Sequence, residues 1–281
     1  MELLTSLTII AILVALLIPA LKMVRNMAKE TAQKAQFATI DMAILAFKND
    51  FGDYPPSSWI GTLTDYSGVQ MLTEALLGKD LLGFHRSSQF RSDGTIDGTP
   101  LTQLYPLNPT DDNLNERRGP YLELATTNVF RLGNISNAKP GLFNNTGTLL
   151  APDTFVICDV FAVKRVTLTS GKAVKAGTPI LYYKANTLFK NITDPSYDQR
   201  IYNVYDNDAL VSLKKVDTGA DHPLELSQNS EKLYDYDSNG GIKDPKASTA
   251  TRSWPYRPDS YILISAGADG LYGTSDDIHN F

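Results

Sequence analysis

The residues best suited to chemistry are carboxylates placed close together in glycine-containing segments. Near the C-terminus, Asp269, Asp276 and Asp277 lie within nine residues, and Gly270 and Gly273 between them allow the backbone to turn. Calcium takes about six to eight oxygen ligands from carboxylates, carbonyls and water, held by a tight turn. A solvated acidic turn has the same composition, and from these residues alone it is the preferred interpretation.

A second segment has oxygen-bearing residues at alternate positions. Gly240 and Ile242 match the sixth and eighth positions of an EF-hand-type loop, but the twelfth position is Lys246 where a bidentate Glu is expected. Asp244 is a substitute for that ligand, and an Asx-type turn is at least as good an interpretation. The candidate ligands of this weaker site are Asp235, Asp237, Asn239 and Asp244.

Other chemistry is poorly represented. The only cysteine, Cys158, excludes an intrachain disulfide and a cysteine zinc site, and the three histidines lie far apart in sequence. No phosphate-binding loop, dinucleotide fingerprint, zinc-protease motif or nucleophile elbow is present, so we do not expect an enzyme. The net charge of −5 also argues against nucleic-acid binding by phosphate neutralisation.

The N-terminal segment has the composition of a membrane-spanning helix. No charge occurs between Glu2 and Lys22, and residues 3–21 are rich in Leu, Ile, Val and Ala. A helix of this length rises roughly 28 Å, close to the thickness of a bilayer core. A signal peptide lacks support because no basic stretch precedes the run, and a core helix is a weaker alternative for so long a run at a terminus.

The same helix is predicted to continue to about residue 50, giving a length of roughly 70 Å. Gly52 and the prolines that follow are a helix stop signal, and Pro19 is expected to kink or loosen its turn. The second half is predicted to have one apolar side that packs on the head, formed first by a row at helical spacing: Val24, Ala28, Thr31, Ala35, Ala38, Met42 and Leu45. A second row that widens the apolar side is Phe37, Ile40, Ile44, Phe47 and Phe51.

The remaining residues, 51–281, are predicted to form a mildly acidic globular head with a net charge of −6. Val69, Leu72, Leu76 and Leu77 space as a short amphipathic helix closed by Gly78. Residues 84–150 read as long loops, whereas 154–159, 162–169, 180–185 and 261–265 have strand composition. A long helix followed by strands predicts an α+β fold in which an antiparallel sheet covers the second half of the helix.

The first residues resemble a known family. The start Met-Glu-Leu-Leu-Thr-Ser-Leu-Thr-Ile-Ile-Ala-Ile-Leu, with Pro19 following, is similar to the N-terminal helix of type IV pilins and type II secretion pseudopilins. Those proteins carry a short basic leader ending in Gly and a Phe-Thr-Leu that are absent here, which suggests that Met1 is an internal methionine taken as the start. In the family a prepilin peptidase cuts after the Gly and methylates the new amino terminus.

Two further segments resemble the major pseudopilins of type II secretion. The exit of the helix, Phe47 to Pro56, is similar to their aromatic-x-x-x-x-Gly-x-Tyr-Pro pattern, and the C-terminal 261–281 is similar to their last strand and calcium loop. The resemblance implies calcium held by the carboxylates of Asp269 and Asp276 and the carbonyl of Leu271, with Ser275 or Asp277 completing the shell. Residues 84–250 have no such counterpart and read as a long insertion.

The resemblance implies a structural subunit, with no catalysis, at the inner (cytoplasmic) membrane as a single-pass protein whose head is periplasmic or exterior. Monomers would assemble through the helix into a homo-oligomeric helical filament that drives protein export, with other pseudopilins and the inner-membrane platform as partners. Glu2 would then pair with the terminal amine of the adjacent subunit; from the sequence alone it is equally an interfacial residue.

Two alternatives remain open at this level. One is a type IV pilin for adhesion or DNA uptake, against which stand the single cysteine and the lack of a basic patch. The other is a single-pass membrane-anchored binding module whose long loops recognise a saccharide or a protein. Cleavage of a leader and formation of a filament are expected of a pseudopilin and of a type IV pilin, but not of an anchored binding module.

Overall fold

The computed structural model describes most of the chain, and the account below is confined to that part. The described residues are 2–58, 66–96, 102–135, 153–168, 171–189, 192, 200–224, 233, 241–248 and 254–281.

The described elements alternate helices with short strands, and a single-turn 3₁₀ helix covers Val204–Asp206. In chain order they are α1 (Glu2–Phe51), α2 (Gly68–Leu77), β1 (Phe84–His85), β2 (Thr95–Ile96), β3 (Thr102–Gln103), α3 (Asp111–Asn115), β4 (Arg117–Arg118), β5 (Val129–Arg131), α4 (Leu132–Ile135), β6 (Phe155–Ile157), β7 (Lys164–Thr167), β8 (Ala173–Ala176), β9 (Leu181–Lys184), α5 (Asp208–Val211), β10 (Tyr261–Ser265) and β11 (Ile278–His279).

Helix α1 runs for 50 residues and stays helical through Pro19. It ends where the sequence predicts: Gly52 has a φ of +85°, and its N–H donates to the Lys48 carbonyl at 2.7 Å. A residue with a Cβ rarely adopts this backbone conformation, so the glycine both ends the helix and redirects the chain. The predicted extent of the helix is therefore confirmed.

A three-stranded antiparallel sheet in the order β11-β10-β9 forms the centre of the head. In its register Ile262 lies opposite Tyr183 and Ile264 opposite Leu181. Alternate residues of β10 point to opposite faces, so Leu263 packs with α1 and α2 while Ile262 packs in a second cluster beyond the sheet. Both faces are covered, which explains why every residue of β10 is buried.

The four predicted strands are all confirmed, at β6, β7, β9 and β10, and so is the short helix at α2. The prediction that residues 84–150 form only loops is wrong for the described part of that segment. There β1 pairs with β4, β2 pairs with β3, and β5 pairs with β6, all antiparallel. These strands have two or three residues each, too short to give a periodic signal in sequence. The chain is a mixed α+β protein.

Candidate functional site

The first half of α1 is apolar and lies outside the head. Its side chains at residues 6–21 are exposed, including Leu7, Ile12 and Leu16. By length and composition this helix could cross a membrane, a criterion that a signal sequence also meets. Pro19 lies within this half. Glu2 is the first residue of α1, and its side chain lies outside the part of the chain that the structure describes.

The second half of α1 packs on the head with the second of the two predicted rows. Phe37, Ile40, Ile44 and Phe47 are buried, and they contact Leu72, Leu76 and Leu77 of α2 and Leu263 of β10 within one cluster. The ring of Phe47 lies 4.5 Å from that of Phe51 and 5.3 Å from that of Phe84. Large aromatic side chains remove more apolar area from water than small ones, and the row that contains them is the buried one.

The prediction that the two rows form one apolar side that packs on the head is wrong, because the head buries the second row and leaves the row from Val24 to Leu45 exposed. Val24 and Met42 are more than 60% exposed, and Leu45 is about half exposed. Ala28, Thr31, Ala35 and Ala38 share this exposed side of the helix. Helix α1 therefore has two apolar faces in its second half, of which the head covers one.

Between these apolar contacts and the exposed N-terminal half, polar side chains bind α1 to the chain after β6. Lys29 Nζ donates to the Phe161 carbonyl at 3.0 Å, and Gln36 Nε2 donates to the Cys158 carbonyl at 2.9 Å. Gln33, which is fully buried, accepts from the Val160 N–H at 3.0 Å. This contact was not predicted from the sequence, although Gln33 lies three residues before Gln36 and four before Phe37, spacings that place these side chains on one side of the helix.

The C-terminal acidic loop brings two of its three carboxylates together. Asp276 Oδ2 accepts from the Asp269 N–H at 2.9 Å, and burial together with the nearby Asp276 charge raises the pKa of the Asp269 carboxyl. The carboxylate of Asp277 has a separate partner, since its Oδ2 accepts from the Gly273 N–H at 2.8 Å. Among the described residues no three acidic, histidine or cysteine side chains converge as a metal-binding group. The predicted set is thus only partly assembled.

The backbone conformation of this loop requires its glycines. Gly267, Gly270 and Gly273 all have positive φ, and a Cβ on Gly267 would lie 2.1 Å from the Asp276 carbonyl oxygen. The Leu271 carbonyl accepts from Thr274 Oγ1 at 3.2 Å, and Ser275 lies between Thr274 and Asp276. Two adjacent carboxylates with backbone carbonyls on a tight turn are donors that fit a hard cation such as calcium.

A cation lies closer to the loop than the sequence suggests. No Lys or Arg follows Arg257, but Lys215 Cε is 3.3 Å from the position that a Cβ on Gly270 would occupy. Lys215 also pairs with Asp217 at 3.4 Å. His222 also contacts the loop, since its Nδ1 accepts from the Tyr272 N–H at 3.1 Å. Burial lowers the pKa of His222 to about 4. It is a buried histidine of the head.

The second calcium candidate is largely outside the described residues. Asp235, Asp237 and Asn239 fall there, and Asp244, the proposed substitute ligand, is the member that can be placed. Its Oδ1 accepts from the Lys246 N–H at 2.8 Å, the geometry of an Asx-type turn. Cys158 is buried in the hydrophobic core, and burial raises the pKa of its thiol.

Three buried carboxyls lie outside the two predicted calcium sites. Burial raises the pKa of Glu74, and raises that of Asp159 and of Asp206 to about 7. Hydroxyl groups donate to two of them: Tyr66 Oη donates to Glu74 at 2.7 Å, and Ser58 Oγ donates to Asp206 at 2.6 Å. Asp159 accepts from the Thr178 N–H at 3.1 Å and from Ser265 Oγ at 3.2 Å. Only the tertiary structure brings these partners together, because each contact joins separate elements.

Comparison with protein-family models, with curated proteins and with solved structures found no match to this chain.

Proposed function

We propose that this chain is a structural subunit of a membrane-derived filament, of the kind represented by type II secretion pseudopilins. The observation that carries the proposal is the division of α1. Its first half is apolar and exposed, its second half is bound to an α+β head through one face, and the opposite face of that half is apolar and uncovered. Such a helix has apolar surface that can contact the lipid of a bilayer and, after the chain is extracted from the membrane, can pack on neighbouring helices.

The uncovered face separates this proposal from a simple anchor. A single-pass anchor requires an apolar segment only within the bilayer, whereas exposed Val24, Met42 and Leu45 lie beyond the apolar stretch that would occupy it. Head-to-tail packing of such helices gives an open filament rather than a closed ring. In that arrangement Glu2 would pair with a positive charge on the adjacent subunit, which makes its burial tolerable.

Calcium belongs to the proposal as a stabiliser of the C-terminal loop. The carboxylates of Asp269 and Asp276 and the carbonyl of Leu271 would hold it, with Ser275 or Asp277 completing the shell. Bound calcium would supply the positive charge that allows two adjacent carboxylates to remain ionised. The loop follows β10 directly and precedes β11, so a fixed loop would also fix the edge strand of the sheet.

Disulfide cross-linking within native membranes tests the assembly. The single native cysteine is buried, so two cysteines introduced into the same chain at the exposed positions Leu16 and Met42 report contacts between chains. A filament gives a ladder of cross-linked species longer than a dimer, and Glu2→Ala shortens it. The matched control carries two cysteines on the head surface, at Asp153 and Lys172, which are exposed and far from α1 in sequence. Absence of any ladder from the chain with both α1 cysteines contradicts filament assembly and favours the anchored binding module.

Two further measurements define the kind of filament. Mass spectrometry of the native amino terminus is expected to show a cleaved chain with an added methyl group, because the proposed assembly route includes prepilin peptidase. Deletion of the coding sequence is expected to deplete proteins from the culture supernatant if the filament serves export. Loss of adhesion or DNA uptake with normal export would instead assign the chain to a type IV pilus.

A further inference from the structure

A cleft of about 400 Å³ opens where α1 ends against the sheet. Its walls come from three segments: Asp53 and Tyr54 after α1, Lys184 and Asn186 at the end of β9, and Asp259 before β10. We call this opening, with the smaller cavity described next, the helix-end cleft. Its volume lies within the roughly 300 to 1,000 Å³ of small-molecule sites.

A second cavity of about 120 Å³ adjoins the first and shares Thr187 and Asp259 with it. Its lining is aromatic and proline-rich, with Phe189 and Trp254 as the aromatic members. Both rings are half-buried, so part of each faces outward. The helix-end cleft thus has a polar compartment and an aromatic compartment that meet at Asp259.

The charges of the cleft argue against an ionic ligand. Lys184 Nζ pairs with Asp53 Oδ2 at 2.5 Å, and Lys48 Nζ lies 3.9 Å above the centre of the Tyr54 ring. Both lysines therefore already have an electrostatic partner, which leaves a poor site for phosphate or a carboxylate. The lining acids are Asp53 and Asp259, and the described residues hold no metal-binding group of three acidic, histidine or cysteine side chains.

The polar wall is held in place by hydrogen bonds beneath it. The hydroxyl of Ser57 accepts from the Lys184 N–H at 2.9 Å and donates to Asp206, which also accepts from Ser58. A hydrogen bond from Ser260 and the adjacent Lys48 lower the pKa of the Tyr54 hydroxyl, which places Tyr54 and Ser260 together at the cleft. Such prior order reduces the entropy lost on binding.

We propose that the helix-end cleft binds a neutral saccharide. A pyranose ring has an apolar C–H face, which packs on an aromatic ring, and a rim of hydroxyls that both donate and accept. Phe189 and Trp254 supply the aromatic platform, while Asp259 and Asn186 supply an acceptor and a mixed donor and acceptor for the hydroxyls. The inference does not depend on filament assembly, since every lining residue belongs to one head and the exit of its own helix.

Binding is measured on the full chain in a polyoxyethylene detergent, because detergents with sugar headgroups would compete. The probes are maltose, cellobiose, lactose and diacetylchitobiose, with inorganic phosphate as the charged comparison. Isothermal calorimetry is expected to show saturable binding of at least one disaccharide at millimolar or lower Kd. Trp59→Phe leaves Trp254 as the only tryptophan, and its fluorescence is expected to change with the same saturation curve.

Variants of exposed or half-buried cleft residues locate the site. Trp254→Ala is expected to weaken binding at least about tenfold, and Asp259→Asn about fivefold or more, since each removes one recognition group. The matched control is Asp153→Asn, whose carboxylate is highly exposed and paired with Arg131 away from the cleft. This variant should bind as the native chain does. Near-ultraviolet circular dichroism verifies that each variant retains the native fold.

Three results would overturn the assignment. The first is no saturable heat or fluorescence change with any of the four disaccharides up to about 50 mM, far above the millimolar range in which a weak specific site saturates. The second is binding that Trp254→Ala and Asp259→Asn leave as strong as in Asp153→Asn. The third is saturable binding of phosphate in preference to the disaccharides, which would show that the lysines, rather than the aromatic compartment, define the site.

Discussion

The hydroxyl of Ser57 donates a hydrogen bond to the buried carboxylate of Asp206, which lies 149 residues further along the chain. The contact fastens the segment that leaves α1 to the 3₁₀ helix that ends at Asp206. Next to it, the Asn207 side chain accepts from the Val69 N–H at 3.2 Å and donates to the Tyr182 carbonyl at 2.8 Å. Two consecutive polar residues thus join the exit of α1, the start of α2 and the outer edge of β9.

The pH dependence of stability is expected to identify Asp206. Its pKa is about 7 in the folded chain and near 3.8 when exposed, so the carboxyl contributes stability that is complete below about pH 4 and lost as the pH rises to about 7. Asp206→Asn cannot ionise, so its free energy of unfolding should rise relative to that of the native chain as the pH increases from about 4 to about 7. A shift of this size corresponds to at most about 4 kcal/mol. Denaturant unfolding between pH 4 and 8 measures the difference.

The comparison of native chain and variant is needed because other buried groups titrate in the same window. Burial lowers the pKa of His222 and of His279 to about 4, so their contributions are lost as the pH falls and have the opposite sign. The exposed Asp153→Asn serves as the control and should track the native chain at every pH. The prediction would be contradicted if the difference in unfolding free energy between the native chain and Asp206→Asn stayed constant from pH 4 to 8.

Calcium removal is expected to lower the thermal stability of the head. A ligand present at about 100 times its Kd adds about 2.7 kcal/mol, which for a chain of this size is about 5 to 10 °C in Tm. Asp276→Asn should lose this response because it removes one of the two adjacent carboxylates. The measurement is a thermal melt in calcium and in chelator. Identical melts of the native chain in both would remove calcium from the proposed function.

Gly267→Ala is expected to disrupt the acidic loop. Its φ is +62°, and the added Cβ would meet the Asp276 carbonyl oxygen at 2.1 Å, so the backbone must move. Gly171→Ala is a matched control: φ there is +79°, and no atom lies within 4 Å of the added Cβ. Gly171→Ala should show the strain of positive φ alone, about 1 kcal/mol. Equal losses of unfolding free energy in the two variants would show that the contact with Asp276 does not matter.

Phe47→Ala is expected to cost about 3 to 5 kcal/mol in unfolding free energy, because it removes a buried ring that contacts Phe51, Phe84 and Tyr121. Met42→Ala, on the uncovered face of the same helix, is expected to change stability by less than about 0.5 kcal/mol. Under the proposed function, Met42→Ala should instead weaken cross-linking between chains. A large loss of stability in Met42→Ala would mean that the head covers both faces.

Gln33→Leu is expected to destabilise the attachment of α1 by about 0.5 to 1.5 kcal/mol, because the partly buried Val160 N–H loses its acceptor on the buried Gln33 side chain. Lys34→Ala, one residue along and exposed, is the control and should be close to neutral. Hydrogen exchange of the Val160 amide gives a local readout, and its protection should fall in Gln33→Leu alone. Unchanged protection there would show that this amide is held by other means.

Several features could be predicted from the sequence because they depend on neighbours along the chain. The extent of α1 follows from an unbroken apolar and helical pattern ended by Gly52, and α2 follows from leucines at helical spacing ended by Gly78. Strands β9 and β10 follow from runs of β-branched and aromatic residues. The acidic turn with its glycines was also evident, since positive φ at Gly270 and Gly273 is a local property.

The tertiary structure alone decided which parts of those elements meet. Periodicity gave α1 two apolar rows, and only the shape of the head selected Phe37 to Phe47 for burial and left Met42 in solvent. Likewise the carboxyl of Asp277 turns to Gly273, and Lys215 approaches the acidic loop from a distant segment. Local sequence determines backbone conformation through short-range sterics and hydrogen bonds, whereas burial and charge proximity depend on contacts between residues far apart in the chain.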